Sequence, residues 1–332
     1  MTTRRFTSPL RDKLDDFLRY KRAAGCLYRA EETALGCLDR FLARHLAAGD
    51  PVITLDLVRA FVQEGQCSNT TRGHRLSLIR ELCRYIAVED VRTAVPPRNF
   101  LRIRRCPYLQ RVLTRDEGRR FLATCSTFPR ARCSPLRGVV HGTVLTLLYV
   151  TGLRLGEALR LTIADVDLSR GLLQVRRTKF GKSRLVPVSA DVTQRLRACG
   201  DAIEQRLGLR SADAIFFVGP RGKPVSKSAL RDSFHDILKR ADIAQNGGRR
   251  PRIHDLRGTF AVHRLLRWYE QDANLEAKLP LLVTYLGHVS LNGSQRYLQL
   301  ARDLLGEVTR RHQAHFGHLI TDALEATKHD NA

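Results

Sequence analysis

The sequence predicts a mainly α-helical protein with a small antiparallel β-sheet, divided into a helical N-terminal unit and a larger α+β unit. Three observations carry this prediction. Apolar residues of the first hundred positions recur at spacings of three and four. β-prone residues gather in only a few short runs, all beyond residue 170. A proline pair and an unbroken basic stretch separate two regions, each long enough to bury its own core.

The first unit spans 1–97. Leu14, Phe17 and Leu18, then Leu35, Leu38, Phe41 and Leu42, form the stripes of amphipathic helices, punctuated by Gly25 and by Gly49-Asp50-Pro51. A third helix is expected from about Leu55 to Gln63. A fourth carries Leu76, Ile79, Leu82, Cys83 and Ile86, with Arg72, Arg75, Arg80 and Arg84 on its other sides. Those arginines read either as a phosphate-facing surface or as a solvated face. Four helices and no strand are expected here. Pro96-Pro97 then blocks helix continuation. Arg98, Arg102, Arg104, Arg105 and Arg111 follow without one acidic residue, a basic linker over 98–112 suited to lie along phosphates.

The second unit, 113–332, opens with Thr114-Arg115-Asp116-Glu117, a capping-box pattern. An apolar helix follows from about Gly138 to Val150. Leu172–Arg177 and Arg184–Val188 are β-prone and bracket Lys179-Phe180-Gly181-Lys182, so a hairpin is expected with Gly181 in its turn. A short strand is expected at Ile215–Val218. Helices then return, ending in an amphipathic stretch from Leu304 to Ile320.

The net charge is +24, from 57 Lys+Arg against 33 Asp+Glu, which calls for an anionic partner. Nucleic acid is the first candidate and anionic membrane the second. The longest apolar run, Val139 to Leu153, falls short of the about 20 residues a spanning helix needs. The N-terminal Met1-Thr2-Thr3-Arg4-Arg5-Phe6 lacks a signal-peptide core. Eight cysteines without a Cys-x-x-Cys pair argue for reduced thiols and against a disulfide framework or zinc site. The expectation is a cytoplasmic, nucleoid-associated nucleic-acid binder.

No nucleophile elbow and no Walker-type loop is present. The chemistry rests on an ordered set: Thr151-Gly152-Leu153-Arg154-Leu155-Gly156-Glu157, Lys179, His254-Asp255-Leu256-Arg257, Leu286-Gly287-His288 and Tyr297. Two guanidinium forks suit two non-bridging phosphate oxygens. His254 and Arg257 are three apart, so a helix places them on one face. Lys179 at a hairpin tip is a mobile proton donor. Tyr297 is a nucleophile that can form a phosphotyrosyl ester. An unperturbed phenol near pKa 10 is ionised in only about one molecule in a thousand at neutral pH, so cationic neighbours or a base must assist. Phosphoryl transfer asks mainly for positioning and charge stabilisation, which this set supplies without metal or other cofactor.

These boxes, in this order and spacing, resemble the tyrosine recombinase/integrase family of phage integrases, Cre and the Xer recombinases. The resemblance covers about 113–300, and the helical first unit is more loosely similar to the family's core-binding domain. By resemblance, Arg154 is the arginine of the first box, Lys179 the hairpin lysine, His254 and Arg257 the His-x-x-Arg pair, and His288 the histidine of the Leu-Gly-His box. Tyr297, nine residues beyond His288, takes the nucleophile's place. Lys182 offers a second amine on the same tip. Tyr269 and Tyr285 lie in the long stretch between Arg257 and His288 and are read as packing residues, as His263 is. Glu157 is read as a partner of Arg154.

The resemblance implies a site-specific recombinase acting on double-stranded DNA. Tyr297 would form a 3′-phosphotyrosyl link and release a 5′-hydroxyl. Arg154, Arg257 and His288 would stabilise the transition state. Lys179 would protonate the leaving oxygen, and His254 would assist proton transfer from Tyr297. The units would close around DNA as a clamp, with Arg102, Arg104, Arg105 and Lys182 as DNA contacts. A homotetramer on two DNA sites would form through the C-terminal helix, with sister recombinases or a DNA-bending protein as further partners. Integration, excision or inversion of a mobile element is the implied task. Type IB topoisomerase-like cleavage and a non-catalytic DNA-binding accessory role are the alternatives. A generic helix-turn-helix repressor explains the charge but not the ordered boxes.

Overall fold

The computed structural model describes residues 5–47, 49, 51–104, 110–129, 134–176, 183–243 and 250–287. The chain divides into two compact units, Met1–Tyr108 and Leu109–Ala332. The architecture is mainly helical with one small antiparallel sheet.

The first unit holds α1 (Arg11–Ala23), α2 (Arg29–His45), α3 (Leu55–Gln63) and α4 (Asn69–Ile86), with no strand among its described residues. The apolar stripes of α1, α2 and α4 are buried, from Leu14 and Phe17 through Leu38 to Leu82 and Ile86, and α3 buries Val58, Phe61 and Val62 while Leu55 at its start is exposed. Thr54 and Ser68 cap α3 and α4, their hydroxyls accepting the Leu57 and Thr71 amides. Buried Asp39 on α2 fastens the segment before α1, accepting the amides of Thr7 and Ser8.

Two of the four arginines of α4 serve the fold. Arg75 donates to the carbonyls of Phe61 and Glu64 at the end of α3, at 3.1 and 2.7 Å. Arg80 donates to those of Pro96 and Pro97, at 2.9 and 3.0 Å. Phe61 O and Pro97 O also accept the amides of Glu64 and Phe100, so there each side chain adds a second donor, while at Glu64 O and Pro96 O it caps a carbonyl at the end of its segment.

The stretch expected to be a basic linker is folded at both described ends. Phe100, Leu101 and Ile103 pack on the first core, while Arg102 and Arg104, alternating with them, are exposed. Arg111 forms an ion pair with Glu117 at 2.5 Å, with side chains only 11% and 8% exposed. It belongs to the second unit's cap and is no exposed phosphate contact.

The second unit begins with α5 (Arg115–Ser126), where the Glu117 amide donates to Thr114 Oγ1 and the Thr114 amide donates to Glu117 Oε2. Helix α6 (Arg137–Thr151) is buried around nearly its whole circumference and forms the axis of the core. A single turn, α7 (Leu155–Ala158), leads to the sheet, ordered β1 (Val166–Asp167), β2 (Leu172–Val175) and β3 (Arg184–Pro187). All pairing is antiparallel, with Leu173 opposite Val186 and Val175 opposite Arg184. Leu173, Val175 and Val186 face the core.

Ile215–Val218 is not a strand. It makes only single bridges, Thr162 with Ile215 and Val218 with Pro224. Phe216, Phe217 and Val218 are all buried, so the run lacks the alternation of a half-exposed strand. Helices α8 (Ala190–Leu207), α9 (Lys227–Arg240), α10 (Asp255–Glu270) and α11 (Leu275–Leu286) complete the described unit. The main core joins Phe121, Val144, Leu148, Leu196, Phe217 and Phe234, and a smaller cluster of Phe260, Leu265, Leu282 and Leu286 packs α10 on α11.

Among the described residues no helix is long and apolar enough to cross a membrane, and six cysteines are free thiols. The hairpin tip with Lys179, Gly181 and Lys182, the residues His288 and Tyr297, Arg105, and the stretch from Leu304 to Ile320 lie outside the described residues.

Candidate active site

The site is built where two chain reversals meet. Helix α6 ends at Thr151, and Gly152 caps it in the left-handed region at φ +63°. Leu153 turns into the core, and Arg154 becomes the cap of α7 with extended backbone. Helix α11 ends similarly at Gly287, φ +69°. A Cβ on Gly152 would lie 2.7 Å from Phe260 Cδ1 and 2.9 Å from Leu286 Cδ2, so this capping glycine also permits the close approach of α10 and α11.

The last carbonyls of a helix have no intrahelical donor and carry partial negative charge. At α11 three arginines supply donors to three consecutive carbonyls. Arg184 Nε donates to Tyr285 O at 2.8 Å, Arg257 Nη2 to Leu286 O at 2.7 Å, and Arg154 Nη2 to Gly287 O at 3.2 Å. Arg257 also donates from Nη1 to Gly152 O at 2.7 Å, joining both capping turns. It is 2% exposed, deeply buried for a guanidinium, and charge-assisted bonds to carbonyls offset its desolvation.

Glu157 organises the other side. Its Oε2 accepts the Arg154 amide at 3.0 Å, and its Oε1 accepts Arg154 Nη1 at 2.7 Å. Arg184 donates to the same carboxylate from Nη2 at 2.8 Å and Nη1 at 3.3 Å. Burial by itself raises the Glu157 pKa, but hydrogen bonds from Arg184 and from the Arg154 amide outweigh it and bring the carboxyl down to about 2. Three guanidinium groups against one carboxylate leave two positive charges in excess. Arg154 keeps 31% of its side chain exposed, against 10% for Arg184.

His254 caps α10 one turn before Arg257 and is exposed, its carbonyl accepting the Arg257 amide at 3.3 Å. Asp255 beside it is buried and accepts the Arg252 amide at 2.8 Å. Thr259 ties this turn back to α5's approach, accepting the Leu113 amide at 3.1 Å. The structure thus brings Arg154 and Arg257 together at the end of α11. Arg102 and Arg104 lie in the first unit.

Of the other tyrosines, Tyr285 is stacked on Phe260 with ring centres 5.5 Å apart, and burial pushes its phenol up to about 12. Tyr269 is 57% exposed, which corrects the expectation that it packs. Trp268 takes the apolar side of α10, and its neighbour, about 100° around the helix, is turned outward. His263 bonds the Leu113 carbonyl at 2.8 Å, a satisfied interior histidine. Among the described residues no group of three or more His, Cys, Asp or Glu gathers as a metal-ligand set.

Arg184 escaped the sequence reading as a site residue. Its one signal was a charged residue opening an otherwise apolar strand beside the hairpin tip.

The family model described as "Phage integrase family" matches residues 111–303. The chain belongs to the phage integrase family of tyrosine recombinases. The recombinase is 33% identical over 309 residues to y4rB, a protein of Sinorhizobium fredii named for an integrase/recombinase, covering 92% of this chain and 97% of that one. It is 28% identical over 275 residues to the tyrosine recombinase XerD of Ralstonia nicotianae, covering 82% and 83%. Its fold is similar to that of a lambda integrase tetramer bound to a Holliday junction, with TM-score 0.57 at 19% identity over 85% of this chain and 77% of that one. The recombinase is a site-specific, DNA-acting enzyme of the tyrosine type.

Proposed function

We propose that the enzyme cleaves and rejoins DNA through a 3′-phosphotyrosyl intermediate, with Tyr297 as nucleophile. The observation that carries this is the pair Arg154 and Arg257, drawn together at one helix end by carbonyls that fix both forks. A phosphodiester carries one negative charge and the five-coordinate phosphorane two. A site with two positive charges in excess therefore stabilises the transition state more than the ground state. His288 directly follows the Gly287 cap in sequence and joins this cluster in the proposed mechanism.

Tyr297 Oη attacks phosphorus, the P–O5′ bond breaks, and the ester retains the bond energy. Lys179 protonates the leaving 5′-oxygen, and His254 takes part in moving the tyrosine proton. Attack by a 5′-hydroxyl of the partner strand reverses the step and completes exchange. Residues 1–97 serve as the core-binding domain, 98–112 as the basic segment and 113–332 as the catalytic domain. Arg102, Arg104, Arg105 and Lys182 contact phosphates, and four copies act on two sites through the C-terminal helix. The setting is the nucleoid, and the task is movement of a DNA element.

The test uses labelled duplex fragments from the DNA flanking the gene. Wild type yields an SDS-resistant adduct, and Tyr297→Phe binds the same fragment equally without one. An adduct persisting in Tyr297→Phe contradicts the assignment.

A further inference from the structure

We propose that Arg184 is a positioning residue for strand cleavage, tying the β2–β3 hairpin to the carboxylate that sets Arg154 and to the helix end that precedes His288. The inference rests on the recombinase chemistry proposed above and adds to it a residue with no direct contact to DNA.

The geometry is specific to a guanidinium. Arg184 engages both oxygens of Glu157 through Nη1 and Nη2, and Tyr285 O through Nε, so all three nitrogens are committed. Its side chain is 10% exposed, too enclosed to act as an outer phosphate contact. Glu157 passes the constraint on, because the same carboxylate holds both the amide and the side chain of Arg154.

Two chain segments are fixed at once. Arg184 opens β3 and pairs with Val175 on β2, so it stands at the base of the segment that carries Lys179. It also grips α11 two residues before Gly287, next to the turn from which His288 departs. A Cβ on Gly287 would lie 2.8 Å from Arg184 Nη1, so the backbone there is shaped to admit this guanidinium. Apolar packing in place of a whole buried ion cluster is often neutral in stability, so the use of this one is geometric. Phosphoryl transfer is sensitive to that geometry, since a displacement of about 1 Å can cost on the order of 10² in rate.

The test compares full-length wild type, Arg184→Gln, Arg184→Lys, Glu157→Gln and the Arg184→Gln/Glu157→Gln double variant. Each is assayed on labelled duplex fragments from the DNA flanking the gene, with enzyme in excess. Arg184→Gln is expected to slow adduct formation about 10²-fold while the Kd for the same DNA shifts less than about threefold. Arg184→Lys restores part of the rate, and the double variant loses clearly less than the product of the two single losses, because the two residues share the Arg184–Glu157 contact. Should Arg184→Gln fail to fold, Arg184→Lys decides: slower cleavage at unchanged affinity and melting supports the role, and wild-type cleavage overturns it. Losses that multiply in the double variant, or a loss of DNA binding that matches the loss of cleavage, also overturn it. An adduct absent from wild type itself removes the proposed phosphotyrosyl mechanism on which the inference rests, an outcome distinct from a failure confined to the variants.

Discussion

Arg257→Lys keeps the charge and removes the fork. In the wild type, Nη1 and Nη2 each reach a different backbone carbonyl at 2.7 Å, Gly152 O and Leu286 O, on a residue 2% exposed. One ammonium nitrogen cannot stand in both places, so one buried carbonyl loses its donor. An unpaired buried polar group costs about 1–3 kcal/mol, and about 2 kcal/mol is expected here. For a unit of this size each kcal/mol lowers the midpoint by about 2–4 °C, so the second unit should melt about 4–8 °C lower. The catalytic loss should be larger, about 10³-fold or more, because precedent for an arginine on a transferring phosphoryl group is 10³–10⁵. Circular dichroism melting and single-turnover adduct formation measure the two effects. A lysine variant that melts with wild type and cleaves at its rate would refute the argument that two fixed donors are required.

Two further outcomes follow from the same site. The Glu157 carboxyl is brought from its ordinary 4.5 to about 2, so it contributes stability above pH 4.5 that is lost as pH falls toward 2. That contribution is about 3 kcal/mol at most, and Glu157→Gln should flatten the acid limb of stability measured by urea denaturation between pH 5 and 2; an unchanged limb contradicts the assignment. Gly152→Ala forces a side chain into the left-handed region and against Phe260 and Leu286. Strain of about 1–2 kcal/mol and overpacking of about 1–3 kcal/mol should lower the melting midpoint and slow adduct formation together, and wild-type melting would count against the close packing.

The helices were legible because their signal is a period. Leu14, Phe17 and Leu18 share one face of α1 and all reach the core. The α5 cap was legible because Thr114 and Glu117 satisfy each other locally. Strands were less so: the two-residue β1 has no pattern to read, and Ile215–Val218 has strand composition without strand pairing. Within the site, Arg154 and Arg257 stood out through their boxes. What holds them, the carbonyls of Gly152, Leu286 and Gly287, leaves no trace in composition because every residue has a carbonyl. Arg75 and Arg80 show the converse, surface charges in the sequence that turn out to close carbonyls of the fold.

The most direct measurement is mass spectrometry of the protein–DNA adduct after nuclease and protease digestion. The account predicts nucleotide mass on the peptide containing Tyr297, linked through a 3′-phosphate. A nucleotide on the Tyr285 or Tyr269 peptide, or a 5′-phosphate link, would contradict it.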